Sequence, residues 1–240
     1  MAIGSFHDLT AVVLCGGKGQ RLRPYTDKMP KALVPICGKP LLYHLMRYLQ
    51  LSGVNRFVLC VGHLAEQIER FAHETPEFQG AITCVNSGDV GMTDRILDAS
   101  RHFQARALIC YGDTLANVDI VALQRRHTES DALATITVYP LHSPFGIVEP
   151  DEAGRVVAFR EKPVLPYWIN VGFLLCEREA LSYMDTGADL DQFLLRLAAV
   201  GRLFSHRHGG KHLTVNTDRD RAFAEAHISQ FLTLLEGTGS

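Results

Sequence analysis

A glycine-rich stretch near the start of the chain constrains its fold more than any other feature. It reads Ala11-Val-Val-Leu-Cys-Gly-Gly-Lys-Gly-Gln-Arg-Leu-Arg-Pro24 and is followed by Lys28-Met-Pro-Lys31. Ala11 to Cys15 is short, apolar and stopped by glycine, which predicts a buried strand. Gly16, Gly17 and Gly19 can turn sharply and bring backbone N–H groups close to a ligand. Arg21 and Lys31 add fixed positive charge, and a strand ending in bare amides and cations is suited to phosphates. The two common phosphate loops do not fit. A P-loop needs a Gly-Lys-Ser/Thr ending that is missing here. A dinucleotide fingerprint needs an acid after the next strand, whereas Phe57–Val61 runs into Gly62-His63.

The rest of the chain alternates strand-like and helix-like segments. Pro40 can open a helix whose apolar face is Leu41, Leu42, Leu45, Met46 and Leu49, with Gly53 at its end. Phe57–Val61 predicts the second strand and Leu64–Phe71 the second helix. Ala81–Val85 predicts a third strand, leading into a polar loop, Asn86 to Arg95, before a short helix over Ile96–Phe103. This rhythm predicts an α/β fold, a Rossmann-like three-layer sandwich with a mostly parallel sheet and ligands at the strands' carboxyl ends. Ala107–Tyr111 is a further strand ending in Gly112-Asp113, a carboxylate that can cap a turn or hold a metal. Asp119 is placed to cap a helix over Ile120–His127. After a strand over Ala132–Tyr139, Phe145–Glu149 and Arg155–Arg160 form a hairpin around Asp151-Glu-Ala-Gly154. Leu190–Val200 is an amphipathic helix. Arg202–Ser205 and His212–Val215 are the last strand candidates, and a long helix follows over Arg219–Leu235. His206, His208 and His212 read as a solvated loop rather than a metal cluster.

Several of these segments carry motifs in a recognisable order: Gly-Gly-x-Gly-x-Arg-Leu with Pro-Lys at Lys31, Gly112-Asp113, Phe145-Gly146, Glu161-Lys162-Pro163, Asn170-x-Gly172 and Asn216-Thr217. Together they resemble the sugar-1-phosphate nucleotidyltransferases, over essentially the whole chain. Ser87-Gly88 with Met92-Thr-Asp-Arg95 and Trp168-Ile-Asn-Val-Gly172 are most similar to the glucose-1-phosphate cytidylyltransferase branch. Asp94 departs from that pattern, standing where two glycines are expected, as does Val171 in place of a glycine.

The resemblance implies one nucleotidyltransferase domain: a nucleotide-binding part over about 9–130, a small β-rich sugar-phosphate lobe over about 131–215, and a closing helix at about 218–236. It implies transfer of a nucleotidyl group from an NTP, with CTP favoured, to a sugar 1-phosphate. Leu14, Gly16, Gly17, Gly19, Arg21, Lys31, Gly88, Thr93, Arg95 and Gly112 would bind the nucleotide. Gly146, Glu161, Lys162, Trp168 and Asn170 would bind the sugar phosphate. Arg21, Lys31 and Lys162 would act in catalysis, and Asp113 and Asn216 would hold Mg²⁺. Other readings stay open: GTP, dTTP or UTP as donor, a non-sugar phosphate or phosphonate as acceptor, or a non-catalytic subunit that binds nucleotide sugars. The left-handed β-helix domain of some relatives is not expected, and a homo-oligomer is possible.

Composition narrows the surroundings. Net charge is −2 and no basic stripe is visible, which argues against nucleic-acid or membrane-surface partners. No apolar run approaches the ~20 residues of a membrane span. Met1–Thr10 lacks the features of a signal peptide. Most of the six cysteines sit in or beside apolar runs without metal-ligand spacing, predicting reduced thiols and a cytoplasmic protein.

Overall fold

Strand β1 (Thr10–Leu14) sends Ala11 and Val13 into one buried cluster and Val12 into another. This two-sided burial belongs to a central strand of a parallel sheet covered on both faces. The computed structural model describes residues 9–233. The expected lack of a leader in Met1–Thr10 and the last two residues of the predicted final helix lie wholly or partly outside that range.

A short hairpin of β2 (Pro35–Ile36) and β3 (Lys39–Pro40) leads into α1 (Leu41–Leu51). Next come β4 (Arg56–Val61), α2 (Ala65–Glu74), β5 (Ile82–Asn86), α3 (Met92–Ala99), β6 (Arg106–Tyr111), β7 (Thr114–Ala116) and α4 (Ile120–Thr128). The second half comprises β8 (Ala134–His142), β9 (Ile147–Pro150), β10 (Val156–Arg160), β11 (Val164–Glu177), α5 (Leu190–Ala199), β12 (Leu203–Arg207), β13 (His212–Thr214) and α6 (Asp218–Leu232). Seven strands form one sheet in the order β12-β8-β11-β6-β1-β4-β5. All its pairings are parallel except those of β11, which runs antiparallel to β6 and β8.

Each face is covered by helices with an apolar side. Leu42, Leu45, Met46 and Leu49 of α1, with Ile68 of α2 and Leu123 of α4, pack on one face. Ile96 and Ala99 of α3, with Phe193 and Leu197 of α5, pack on the other. The three-layer α/β expectation therefore holds. A smaller cluster joins Ala224 and Phe231 of α6 to Leu22, Val34 and Leu115. The predicted Asp119 cap forms, and α6 has a cap of its own. Asp119 accepts from the Ala122 N–H at 2.9 Å, and Thr217 makes a reciprocal capping box with Asp220.

The structure departs from the sequence reading, or adds to it, at three places. The polar loop ends at Gly91, so Thr93 and Arg95 lie on a helix. Thr93, Ile96 and Ala99 recur at helical spacing and face the core, which outweighs the polarity of Met-Thr-Asp-Arg. Secondly, Tyr167–Phe173 belongs to a strand of fourteen residues. Its pairing with β8 shifts between Asn170 and Leu174, where Gly172 has φ 78°. A Cβ there would stand 2.5 Å from the Tyr111 ring, so the backbone can pass only as glycine. Thirdly, the histidine-rich segment is not solvated. His208 is 3% exposed, and Tyr139 packs beside His142, His208 and His212. Among the described residues, no group of three or more His, Cys, Asp or Glu side chains is placed to hold a metal. The cysteines are free thiols. Four are buried, Cys84 is half-buried, and Cys37 is exposed in the turn between β2 and β3.

Candidate active site

The carboxyl ends of β1 and β6 open into a cleft of about 860 Å³. One wall is the glycine loop that follows β1. Gly19 has φ 59°, and a Cβ there would stand 2.8 Å from Lys31 Cβ, so this glycine lets Lys31 pass beneath the loop. The Thr26 hydroxyl donates to Gly19 O at 3.0 Å and fixes the turn.

Lys31 ends between two oxygens. Its ammonium donates to Asp113 Oδ2 at 2.5 Å and to Asn216 Oδ1 at 2.8 Å. Asp113 follows β6, and Gly112 N–H bonds Leu14 O at 3.0 Å, locking that turn against β1. A Cβ on Gly112 would lie 2.9 Å from the same carbonyl. Asn216 precedes α6, and because Thr217 caps that helix, the Asn216 amide is left for the cleft. The lysine is only 12% exposed, so one cation is held by a carboxylate and an amide oxygen in a largely desolvated place. Two hard oxygens converging on a positive charge also suit Mg²⁺, which takes few protein ligands and completes its shell with phosphates and water. Thr214 lines the floor beside them.

Arg95 lies at the other end. It is 5% exposed, and its guanidinium donates to Val61 O at 2.6 Å, Gly88 O at 2.8 Å and Gly16 O at 3.4 Å. One side chain thus ties the end of β4, the loop after β5 and the glycine loop together. Gly16 and Gly62 leave room for it: a Cβ on Gly16 would collide with the guanidinium, and one on Gly62 would stand 2.7 Å from it. Gly62 belongs to no motif read from the sequence. Across the mouth, Lys18 pairs with Asp89 at 2.7 Å. That hydrogen bond is the main reason the Asp89 carboxyl titrates below its ordinary value.

Of the residues singled out in the sequence, Leu14, Gly16, Gly17, Gly19, Arg21, Lys31, Arg95, Gly112, Asp113 and Asn170 line this one cleft. Asn216 joins them through Lys31, and Gly88 lends only its carbonyl to Arg95. Arg21 makes no hydrogen bond or ion pair among the described residues. Thr93 is a correction. Its side chain is wholly buried and its hydroxyl has no partner, because α3 begins early and turns this residue into the core.

The lobe residues gather separately. Gly146 leaves room for the Phe159 ring and the Glu161 carboxylate: a Cβ there would stand 2.7 Å from the ring and 3.1 Å from the carboxylate. Glu161 and Lys162 are more than 60% exposed and lie 3.8 Å apart. Lys162 holds the left-handed conformation, φ 44°, at the corner between β10 and β11. Trp168 does not line the cleft; its ring lies under the Arg207 guanidinium at 4.8 Å. Lys18, Asp89, Tyr111, Asp189 and Thr214 line the cleft without having been marked in the sequence. The contacts of Lys18 and Asp89 span 71 residues, which local pattern cannot reveal.

Residues 10–192 match a protein-family model described as nucleotidyl transferase. A Bacillus subtilis protein described as a "probable glucose-1-phosphate cytidylyltransferase" is 32% identical over 87% of this chain and 92% of its own length. The glucose-1-phosphate cytidylyltransferase of Salmonella typhi is 30% identical over 90% and 95%. A mannose-1-phosphate guanylyltransferase of Mycobacterium tuberculosis is 30% identical, and there the match spans 77% of this chain and 53% of the relative. In fold, the chain is similar to a solved Bacillus anthracis structure described as a glucose-1-phosphate thymidylyltransferase. The TM-score is 0.73 at 20% identity, with 90% of this chain and 95% of that one covered.

Proposed function

The chain belongs to the nucleotidyl transferase family, and on that premise we propose that it joins CTP to a sugar 1-phosphate, releasing pyrophosphate. One observation carries the reading: Lys31, Asp113 and Asn216 converge from three distant segments beneath a phosphate-type glycine loop. The preference for CTP rests on similarity to two relatives described as cytidylyltransferases, each matched over nearly its whole length.

The reaction is an in-line exchange at the α-phosphorus. A phosphate oxygen of the sugar 1-phosphate forms the new P–O bond, and the bond to the β-phosphate oxygen breaks as pyrophosphate leaves. The nucleophile is already an anion, so no protein nucleophile is required, and the work is positioning and charge neutralisation. The glycine-loop amides and Arg21 would hold the β- and γ-phosphates. Lys31, freed from Asp113 when phosphate enters, would neutralise charge at the α-phosphate. Asp113 and Asn216 would hold a divalent cation such as Mg²⁺, which when bound supplies charge neutralisation across the reacting phosphates. Lys162 would dock the sugar phosphate, and Glu161 and Asn170 would accept from sugar hydroxyls.

The test is pyrophosphate release in Mg²⁺, with CTP, GTP, UTP, dTTP and ATP each set against a panel of sugar 1-phosphates. Signal concentrated in the CTP row is the expected result. Signal in another row would overturn the base assignment. Silence everywhere, with thermal stabilisation by a nucleotide sugar alone, would favour a non-catalytic binding subunit.

A further inference from the structure

We propose that Asp189 selects the nucleobase, by accepting a hydrogen bond from an exocyclic amino group, and that Asp94 holds it in place to do so. The proposal rests on the nucleotide reading of the cleft and deepens it.

The cleft end away from Lys31 has a composition unlike its phosphate end. Val90 and Met92 line it while 39% and 42% exposed, although most large apolar side chains of the chain's first half are buried. Two apolar side chains flanking Gly91 provide a surface on which a flat heterocycle can lie. The polar groups around them are almost all occupied. Asp89 is paired with Lys18, and the Arg95 guanidinium is taken up by three carbonyls. Asp189 differs, since it lines the cleft and its carboxylate makes no hydrogen bond or ion pair among the described residues. It occupies the N-cap position of α5, where aspartate usually accepts from the helix's first amides, yet its side chain makes no such bond.

Asp189 reaches this wall from a remote part of the chain, and the connection is visible. Asp94 Oδ1 accepts from Gly187 N–H at 2.8 Å, pinning the turn before α5 onto the first turn of α3. Gly187 has φ 78°, a conformation suited to glycine. A Cβ on Gly91 would come to 4.0 Å from Ala188 O, so the two segments lie side by side. Asp94 is one of the two residues, with Val171, that depart from the cytidylyltransferase-like pattern. Its position is explained by the loop it anchors, and it is a positioning residue.

The chemistry gives a direction. An ionised carboxylate can only accept hydrogen bonds. Cytosine presents an amino donor at the ring position where uracil presents a carbonyl oxygen. A carboxylate therefore attracts the first and repels the second. One such contact is worth about tenfold or more in discrimination.

The experiment measures equilibrium binding of CTP and UTP, by calorimetry on the full chain, for the unaltered protein, Asp189→Asn and Asp94→Ala. We expect the unaltered protein to prefer CTP. Asp189→Asn, which keeps the shape and gains a donor, should cut the CTP-to-UTP affinity ratio about tenfold, with UTP binding equal or improved. Asp94→Ala should cut the ratio by a smaller factor, a selective effect that general loosening would not give. A ratio that stays within twofold in Asp189→Asn, or no preference for CTP in the unaltered protein, overturns the proposal. Pyrophosphate release is measured alongside. A moved ratio without turnover would refute the transferase reading alone, and intact turnover with an unmoved ratio would refute this one alone.

Discussion

The Lys31 ammonium lies 2.5 Å from Asp113 Oδ2, although 82 residues separate the two in the chain. The pair is partly buried, and Asn216 supplies a second acceptor to the same ammonium. On the proposed function, an entering phosphate would compete with Asp113 and Asn216 for this ammonium. Asp113→Ala is expected to lower kcat at least about 100-fold, because it removes the anchor on which the reacting phosphates are neutralised. Its circular dichroism should stay native. The check is pyrophosphate release over a Mg²⁺ titration, and activity within about threefold of the unaltered enzyme would remove Asp113 from the chemistry.

Arg95 supports a second prediction. Its guanidinium donates to carbonyls of three segments; Gly16 O also accepts from His63 N–H at 3.1 Å, but Val61 O and Gly88 O would lose their bonds to it, and a buried carbonyl left unpartnered costs about 1–3 kcal/mol. Arg95→Met should therefore lose about 3 kcal/mol of stability and raise the KM for nucleotide more than that for sugar phosphate. Gly62→Ala attacks the same place from the other side by crowding the guanidinium, and should cost about 2 kcal/mol. Urea melts of both variants test this. A Gly62→Ala variant as stable as the parent would show that the guanidinium has room to move.

Lys162, proposed to dock the sugar phosphate, sits at a strained corner of the backbone. It holds φ 44°, which for a residue with a side chain costs about 1 kcal/mol or more, and its side chain is exposed beside Glu161. Lys162→Gly should raise stability by about 1 kcal/mol while raising the sugar-phosphate KM at least tenfold. Lys162→Ala should raise KM similarly without the gain in stability. The measurement pairs thermal melts with kinetics at varied sugar phosphate. A KM effect confined to the nucleotide would mean that Lys162 serves the other substrate.

Much of this organisation is legible in the sequence, and what is not has a common cause. The strand before Gly16, the helix after Pro40, the Asp119 cap and the β9–β10 hairpin follow local rules of pattern and turn chemistry. The resemblance motifs locate the glycine loop, Lys31, Asp113 and Asn216 because each is a short run of unusual residues. The placements of Lys18, Gly62 and Asp94 stay hidden, since each meets a partner brought close only by the fold, and Asp189 reaches the cleft beside the Gly187 turn that Asp94 holds. Arg95 is found for its charge, yet in the fold its guanidinium lies against carbonyls. Thr93 shows the opposite failure: its polar neighbours predict a loop, whereas the helical spacing of Thr93, Ile96 and Ala99 turns it into the core.

The last prediction concerns acid. His212 is half-buried beside Tyr139 and His208, with its ring 3.4 Å from the Thr214 hydroxyl. Burial, reinforced by His208 and opposed by Asp113, lowers its pKa from 6.5 to about 4. His44, His206 and His208 are lowered too, each mainly by burial. A histidine held neutral in the folded state takes up its proton more readily when the chain unfolds. Between pH 6.5 and 4 the unfolded chain therefore binds more protons, and stability falls as pH falls. His212 alone should account for about 2 kcal/mol at pH 5 relative to pH 7.5, and about 3 kcal/mol by pH 4. Carboxylates contribute mostly below this window, so urea midpoints at pH 7.5, 6 and 5 isolate the histidines. The decline should be visible in the unaltered protein and shallower in His212→Gln, which keeps a polar group near Thr214 without a titrating ring. An equal slope in both would mean that His212 is no drier in the folded protein than in the unfolded chain.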